Sequence, residues 1–233
     1  MADQHSTPEP GAPAEAAATG RDELLELYRA AGSGELPALV LIRAVVPAFL
    51  DGRGLDGVLS DPDDQAASVL HATRQWAADS PLASVAPVVL AAGTQAVGAL
   101  AHSFTDEDGG LDLPGLRHWF TVKADTVRAE EQQRGVESGA DCAVIAMCAE
   151  LVDDLGPGPR REPDPAAEVL AAWATPGADL YELMVSAAWF AAAMLSHVLG
   201  FEAERIMDYL DGRAAKIYPV ADRLRRAARD PEP

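Results

Sequence analysis

Apolar residues recur at helical spacing along most of the chain. In the stretch SDPDDQAASVLHATRQWAADS they follow the i, i+3, i+4 rule of a helix with one buried face. The predicted face consists of Ala66, Val69, Leu70, Thr73, Trp76 and Ala77. No window shows the alternation of Val, Ile or Thr that is typical of strands. The pattern predicts an all-α fold, a single-domain bundle of about nine or ten helices.

Proline, glycine and acidic residues divide this pattern into separate helices. Asp61 is placed to cap the helix just described, and Pro62 to occupy its first turn. Pro47 is expected to kink the helix in ELPALVLIRAVVPAFLDG or to end it early. Asp164 and Pro165 are expected to begin another helix. The last two predicted helices lie in EAERIMDYLDGR and AAKIYPVADRLRRAARD.

The domain boundaries follow from composition. Residues 1–20 are rich in proline, alanine and acidic residues, and we expect a disordered N-terminal tail. A helical domain is predicted over 21–229, with a candidate subdomain break at 156–164, and a short C-terminal tail over 230–233.

Two long segments are built mainly from small apolar residues. The later one, LMVSAAWFAAAMLSHVLGF, is long enough to span a bilayer. Its alanines contribute little to insertion, whereas His197, two serines and Gly200 oppose it, and acidic residues flank it. We therefore predict no membrane span, and two buried helices, 83–104 and 180–200, in the middle of the bundle. His197 is expected to be buried and His102 to be more exposed, near a helix end.

The surroundings of these two helices resemble each other weakly. Residues 76–102 and 173–197 each hold Trp-Ala, a short break, a small-residue helix and a closing histidine. Either a duplication or the sequence features that alanine-rich helices generally share explain the resemblance.

Polar residues inside the two helices are the candidate site, because an unpaired buried polar group costs about 1–3 kcal/mol. If the helices pack together, these residues could line a shared ligand pocket in which Gly98 and Ala193 make room. The candidate pocket residues are Thr94, Gln95, Gly98, His102, Ser186, Trp189, Ser196 and His197. The alternative is that each polar group bonds a backbone carbonyl or a neighbouring side chain.

Motifs for cofactors, metals and nucleophiles are absent from the sequence. There is no Walker lysine, GxSxG, HExxH or CxxC. The stretch FLDGRGLDG, which contains the spacing GxGxxG at 52–57, is interpreted as a glycine C-cap followed by an acidic N-cap. The loop FTDEDGGLDLPGL fails the EF-hand pattern in both registers. Cys142 and Cys148 are interpreted as reduced core residues. We predict no cofactor and no metal site.

The net charge of −19 argues against nucleic-acid binding, because phosphate backbones are repelled by an acidic surface. We predict a cytoplasmic, non-catalytic helical protein that binds a protein partner or a small apolar ligand and forms a homodimer. The alternative is a cofactor-free enzyme acting in a cavity between helices 83–104 and 180–200. A third hypothesis is an acidic inhibitor or mimic that covers a basic surface.

Overall fold

The computed structural model describes residues 34–60, 64–106, 108–135, 139–157 and 161–229, with side chains described as far as Ile217. Within these ranges the chain forms nine α-helices, one 3₁₀ turn and no strand longer than an isolated bridge. The helices are α1 (Glu35–Leu50), α2 (Leu55–Leu59), α3 (Gln65–Ala78), α4 (Leu82–Ala101), α5 (Leu113–Arg134), α6 (Ala140–Leu151), α7 (Pro165–Trp173), α8 (Leu180–Leu199) and α9 (Ala203–Arg229), and the 3₁₀ turn is Val152–Leu155. The all-α, multi-helix fold predicted from the sequence is confirmed.

Helices α4 and α8 form the centre of the bundle. They pack against each other more extensively than any other pair, and both also contact α1 and α6. Ala92 and Ala96 of α4 and Ala188 and Ala192 of α8 are almost fully buried. Small side chains let two helix backbones approach closely, so the two small-residue segments lie where the sequence predicts them.

The remaining helices surround this pair in two equivalent sets. Helix α3 packs on α1 and α8, whereas α7 packs on α6 and α4. Helix α9 packs on α1 and α8, whereas α5 packs on α6 and α4. Helices α1, α3, α4 and α5 therefore correspond to α6, α7, α8 and α9, in that order. Each of these contacts in one set has an equivalent contact in the other set.

Corresponding positions of the two central helices are also buried alike. Positions 96 residues apart are buried in both, as in the pairs Val85 and Tyr181, Val88 and Met184, Val89 and Val185, Ala92 and Ala188, and Ala96 and Ala192. This agreement extends the sequence resemblance to the arrangement of helices in space. A duplication and the features common to alanine-rich helices both remain explanations of this resemblance.

Several local expectations need correction. Helix α1 does not end early at Pro47 but continues to Leu50; Pro47 and Arg43 are exposed, so water can reach the carbonyl that loses its donor. The cap of α3 is Asp64, which accepts the N–H of Ala66 at 2.9 Å, and Asp61 lies outside the described residues. The last two predicted helices are one helix, α9.

The predicted chain ends and linker are only partly described. The structure does not describe the predicted 1–20 tail, residues 21–33 of the predicted helical domain or the predicted 230–233 tail. Residues 158–160 of the 156–164 segment, which we call the linker, also lie outside the described residues. Beyond the linker, α7 begins at Pro165 with Asp164 as its cap, as predicted. Helix α7 packs on α6 and α4.

Both central helices meet the length and hydropathy criteria of a membrane span. Leu82–Ala101 and Leu180–Leu199 each reach a mean hydropathy of 1.5, and 56% and 50% of the apolar windows are buried inside the bundle. A helix in the core of a globular protein passes the same test. The absence of a membrane span therefore stays a prediction.

Two glycines of α4 offer a test of the central packing. A Cβ on Gly93 would collide with the buried Met147 methyl group and come within 3.0 Å of Leu151, whereas a Cβ on Gly98 would meet nothing within 4 Å. We expect Gly93→Val to lower the free energy of unfolding by about 1–3 kcal/mol through overpacking. Gly98→Ala should raise it by about 0.5–1 kcal/mol because alanine favours the helix. Urea unfolding of both variants checks this, and equal effects at the two positions would contradict the packing described.

Candidate functional site

The eight residues predicted as a pocket are distributed over different environments. Gln95 and Ser196 are buried, Gly98, Ser186 and Trp189 are half-buried, and Thr94, His102 and His197 are exposed. The prediction that His102 is exposed near a helix end is confirmed. The prediction that His197 is buried is wrong, because its face of α8 turns towards solvent: Leu195 and Ser196 stay buried, whereas His197 is exposed and Phe201, just beyond the helix, is 59% exposed.

Most polar groups of this set are bonded within the protein. Thr94 donates to the carbonyl of Leu90 at 2.9 Å, and Ser196 donates to that of Ala192 at 2.7 Å. Nδ1 of His102 lies 2.9 Å from the carbonyl oxygen of Gly98, to which it donates. These are the local backbone bonds of the alternative interpretation.

The buried amide of Gln95 has a partner from another helix. The hydroxyl of Tyr209 on α9 donates to Oε1 of Gln95 at 3.1 Å. This bond ties α9 to α4 and satisfies the amide oxygen, so Gln95 is part of the bundle's internal structure.

Only Ser186 and Trp189 of the eight contribute to a described pocket, which has a volume of about 480 Å³. It lies where the first turns of α6 and α8 meet α2 and α3, away from α4. We call it the Tyr181 pocket. Its lining residues are Leu55, Arg74, Asp141, Asp179, Tyr181, Glu182, Val185, Ser186 and Trp189.

The start of α8 is held by a capping carboxylate. Asp179 accepts the N–H groups of Tyr181 at 2.9 Å and of Glu182 at 3.4 Å. Two turns later the ring of Trp189 packs edge-on against Phe49 of α1, with a centroid distance of 5.7 Å. The polar end and the aromatic wall of the pocket are thus positioned by one rigid helix.

Tyr181 is the unusual residue of this pocket. It is only 7% exposed, and its hydroxyl is buried without a hydrogen-bond partner. The guanidinium of Arg74 lies 4.7 Å from the ring centroid. Burial raises the pKa of Tyr181. The positive charge of Arg74 lowers this pKa, and the negative charges of Asp179 and Asp56 raise it. The phenol is therefore a neutral donor with no acceptor.

The rim of the Tyr181 pocket is electronegative. Glu131 of α5 is buried, and this burial is the main reason why its pKa is raised. The negative charges of Asp141 and Glu182 raise the pKa further. The N–H of Cys142 and the positive charge of Arg134 lower it. Asp141 and Glu182 both line the pocket. Negative charge therefore accumulates on the side of the pocket formed by the first turns of α6 and α8.

A larger cavity of about 730 Å³ lies beside the linker that precedes α7. Two of its carboxylates are already paired, since Arg117 donates to Glu150 at 2.5 Å and to Asp153 at 2.7 Å. These bonds, that to Glu150 above all, raise the pKa of Arg117. Arg161 adds an ion pair to Asp153 at 3.1 Å. This network joins α5, the 3₁₀ turn and the linker, and its charges serve structure.

The cysteines lie where the sequence predicts them, buried and not linked to each other. Burial raises the pKa of both thiols, which keeps them protonated. Among the described residues, no group of three or more His, Cys, Asp or Glu side chains is arranged to hold a metal ion.

No family model, curated protein or solved structure matches this chain. Its function must therefore be argued from the geometry of its own residues.

Sequence reasoning missed most of the Tyr181 pocket. Tyr181 lies in the apolar pattern of α8, and nothing in that pattern shows that its hydroxyl lacks a partner. Arg74 comes from a distant part of the chain, and nothing in its local pattern points to a tyrosine ring. The sequence shows that the acidic residues at the start of α8 are suited to capping the helix, but it does not show that they line a pocket.

A pair of Tyr→Phe variants tests the unpartnered hydroxyl. Tyr181→Phe removes a buried donor without an acceptor, and we expect the free energy of unfolding to rise by about 1–3 kcal/mol. Tyr209→Phe breaks the bond to Gln95 and should lower it by about 0.5–1.5 kcal/mol. Chemical denaturation measures both, and a destabilised Tyr181→Phe would show that this hydroxyl has a partner.

Glu131 predicts a pH dependence of stability. Because its folded-state pKa lies above the ordinary value of 4.5, its contribution to stability is complete below that value and is lost as pH rises through the folded pKa. We expect Glu131→Gln to gain stability relative to the unaltered protein as pH rises from about 4 to about 7. Unfolding at several pH values checks this, with the exposed Glu130→Gln as control; a constant difference across this range would contradict it.

Proposed function

We propose that this protein binds a small molecule in the Tyr181 pocket and has no catalytic activity of its own. The observation that carries the proposal is Tyr181, which lines the pocket and whose buried hydroxyl has no hydrogen-bond partner. Phenylalanine would fill the same space without the cost of about 1–3 kcal/mol that an unsatisfied buried group imposes. A ligand that supplies the missing acceptor explains why tyrosine occupies this position.

The dimensions and lining of the pocket support this proposal. A volume of about 480 Å³ lies in the range of small-molecule sites. Leu55, Val185 and Trp189 supply apolar surface, and a few polar groups converge beside them. The lining residues include neither histidine, the commonest general base, nor cysteine, an intrinsically strong nucleophile.

The proposal changes two features of the sequence-based hypothesis. The site moves from the contact between α4 and α8 to the first turns of α6 and α8, with Ser186 and Trp189 retained. The ligand is polar at one end at least, since charged residues line the pocket, and it is not purely apolar. The homodimer, the cytoplasmic location and the lack of nucleic-acid binding belong to the same proposal and rest on the sequence.

A thermal-shift screen against a library of small metabolites tests the proposal. The variant Ser186→Phe places a ring in the pocket, and Ser84→Phe places the same ring on an exposed position of α4. A ligand at about one hundred times its Kd should stabilise the protein by about 2.7 kcal/mol. We expect this stabilisation in the unaltered protein and in Ser84→Phe, and its loss in Ser186→Phe.

Two outcomes would overturn the proposal. One is a screen in which no compound stabilises the unaltered protein. The other is a set of ligands that stabilise Ser186→Phe as much as Ser84→Phe, which would place binding elsewhere.

A further inference from the structure

We propose, on the basis of the function just proposed, that the ligand of the Tyr181 pocket is a small zwitterion of the amino-acid class. Its carboxylate would lie at Arg74 and Tyr181, its ammonium group at Asp141 and Glu182, and its apolar side chain against Trp189. The inference rests on the presence of an arginine, a phenol and several carboxylates around one pocket with an apolar wall.

The carboxylate end is defined by two donors. The guanidinium of Arg74 lies over the Tyr181 ring, 4.7 Å from its centroid, and both residues line the pocket. Guanidinium groups bind carboxylates through two parallel hydrogen bonds, and a neutral phenol donates a further bond. A carboxylate at this position would be the acceptor that the hydroxyl lacks. Because Arg74 is exposed, its side chain can swing away from the ring to admit the ligand.

The ammonium end is defined by two carboxylates. Asp141 belongs to the first turn of α6 and Glu182 to the first turn of α8, so both are carried by rigid elements. The charges of both carboxylates reach the buried Glu131, which shows that the three groups share one electronegative region. An ammonium group bound there would offset their mutual repulsion.

The same charges exclude simpler ligands. An anion without an amine would meet Asp141, Asp179 and Glu182, and a cation without a carboxylate would meet Arg74. A purely apolar molecule would remove these groups from water without bonding them. A molecule with both charged groups bonded to one carbon satisfies both ends, and the wall of Leu55, Val185 and Trp189 favours an apolar side chain.

Isothermal titration calorimetry at neutral pH tests this inference with three probes of similar size. They are phenylalanine, its methyl ester, which lacks the carboxylate charge, and 3-phenylpropionate, which lacks the amine. We expect phenylalanine to bind about tenfold or more tightly than either analogue, as the loss of one charged hydrogen-bonded contact implies. Arg74→Gln should weaken phenylalanine about tenfold and leave the ester unchanged, while the exposed Arg205→Gln should alter neither.

The outcomes separate this inference from the function on which it rests. If the ester or 3-phenylpropionate binds as tightly as phenylalanine, and Ser186→Phe abolishes that binding, the pocket is a ligand site but the zwitterion is wrong. If no probe binds while the metabolite screen yields a ligand that Ser186→Phe excludes, the zwitterion is likewise overturned. If neither titration nor screen finds a ligand, both proposals fail.

Discussion

The contact between α4 and α8 is the feature on which the rest of the structure depends. Each helix is apolar around most of its circumference, so each must be surrounded by other helices rather than exposed on one side. Small side chains at the contact let the two backbones approach, and Gly93 lets Met147 and Leu151 of α6 come close to the backbone of α4. Every other long helix then covers an apolar side of this pair. The two equivalent sets of contacts follow from having two such helices at the centre.

The two sets are equivalent in arrangement but differ in chemistry, and the candidate site lies where they differ most. At the position of Tyr181, α4 carries the fully buried Val85, and at the position of Trp189 it carries Gly93. Valine and glycine allow close packing in one half. In the other half a tyrosine and a tryptophan occupy the corresponding positions, and an open pocket adjoins them. The pocket is therefore a departure from the common pattern of the two halves.

Patterns within one helix predicted the fold well, and contacts between helices explain where prediction stopped. Helical spacing located α3, α4 and α8, and the Asp-Pro pair located the start of α7, because caps and apolar stripes are local signals. The burial of His197 was predicted wrongly because an apolar stripe on a helix does not reveal how far along that stripe the neighbouring helices extend. Arg74 and Tyr181 meet only after the chain has folded, so no spacing rule could bring them together. Gln95 was correctly singled out as a buried polar residue, but its bond to Tyr209 is equally non-local.

Two groups that cost free energy in the folded protein lie close to one pocket. The hydroxyl of Tyr181 lacks a partner, and the carboxyl of Glu131 is buried near other carboxylates. Elsewhere in the described bundle, Thr73 and Ser196 are buried but bonded to backbone carbonyls, and Gln95 has Tyr209. Buried atoms without a hydrogen bond also occur on Arg53, Asp153 and Arg213, but among the described residues that carry such an atom only Tyr181 lines the Tyr181 pocket. A residue that breaks a local rule of stability on a pocket wall is typical of a site built for a ligand. The binding of a zwitterion would reverse both costs together, by accepting the phenol's hydrogen bond and by placing positive charge beside the carboxylates. Stability of the free protein and affinity for the ligand would then oppose each other at Tyr181, which is the expected relation for a residue kept for binding rather than for packing.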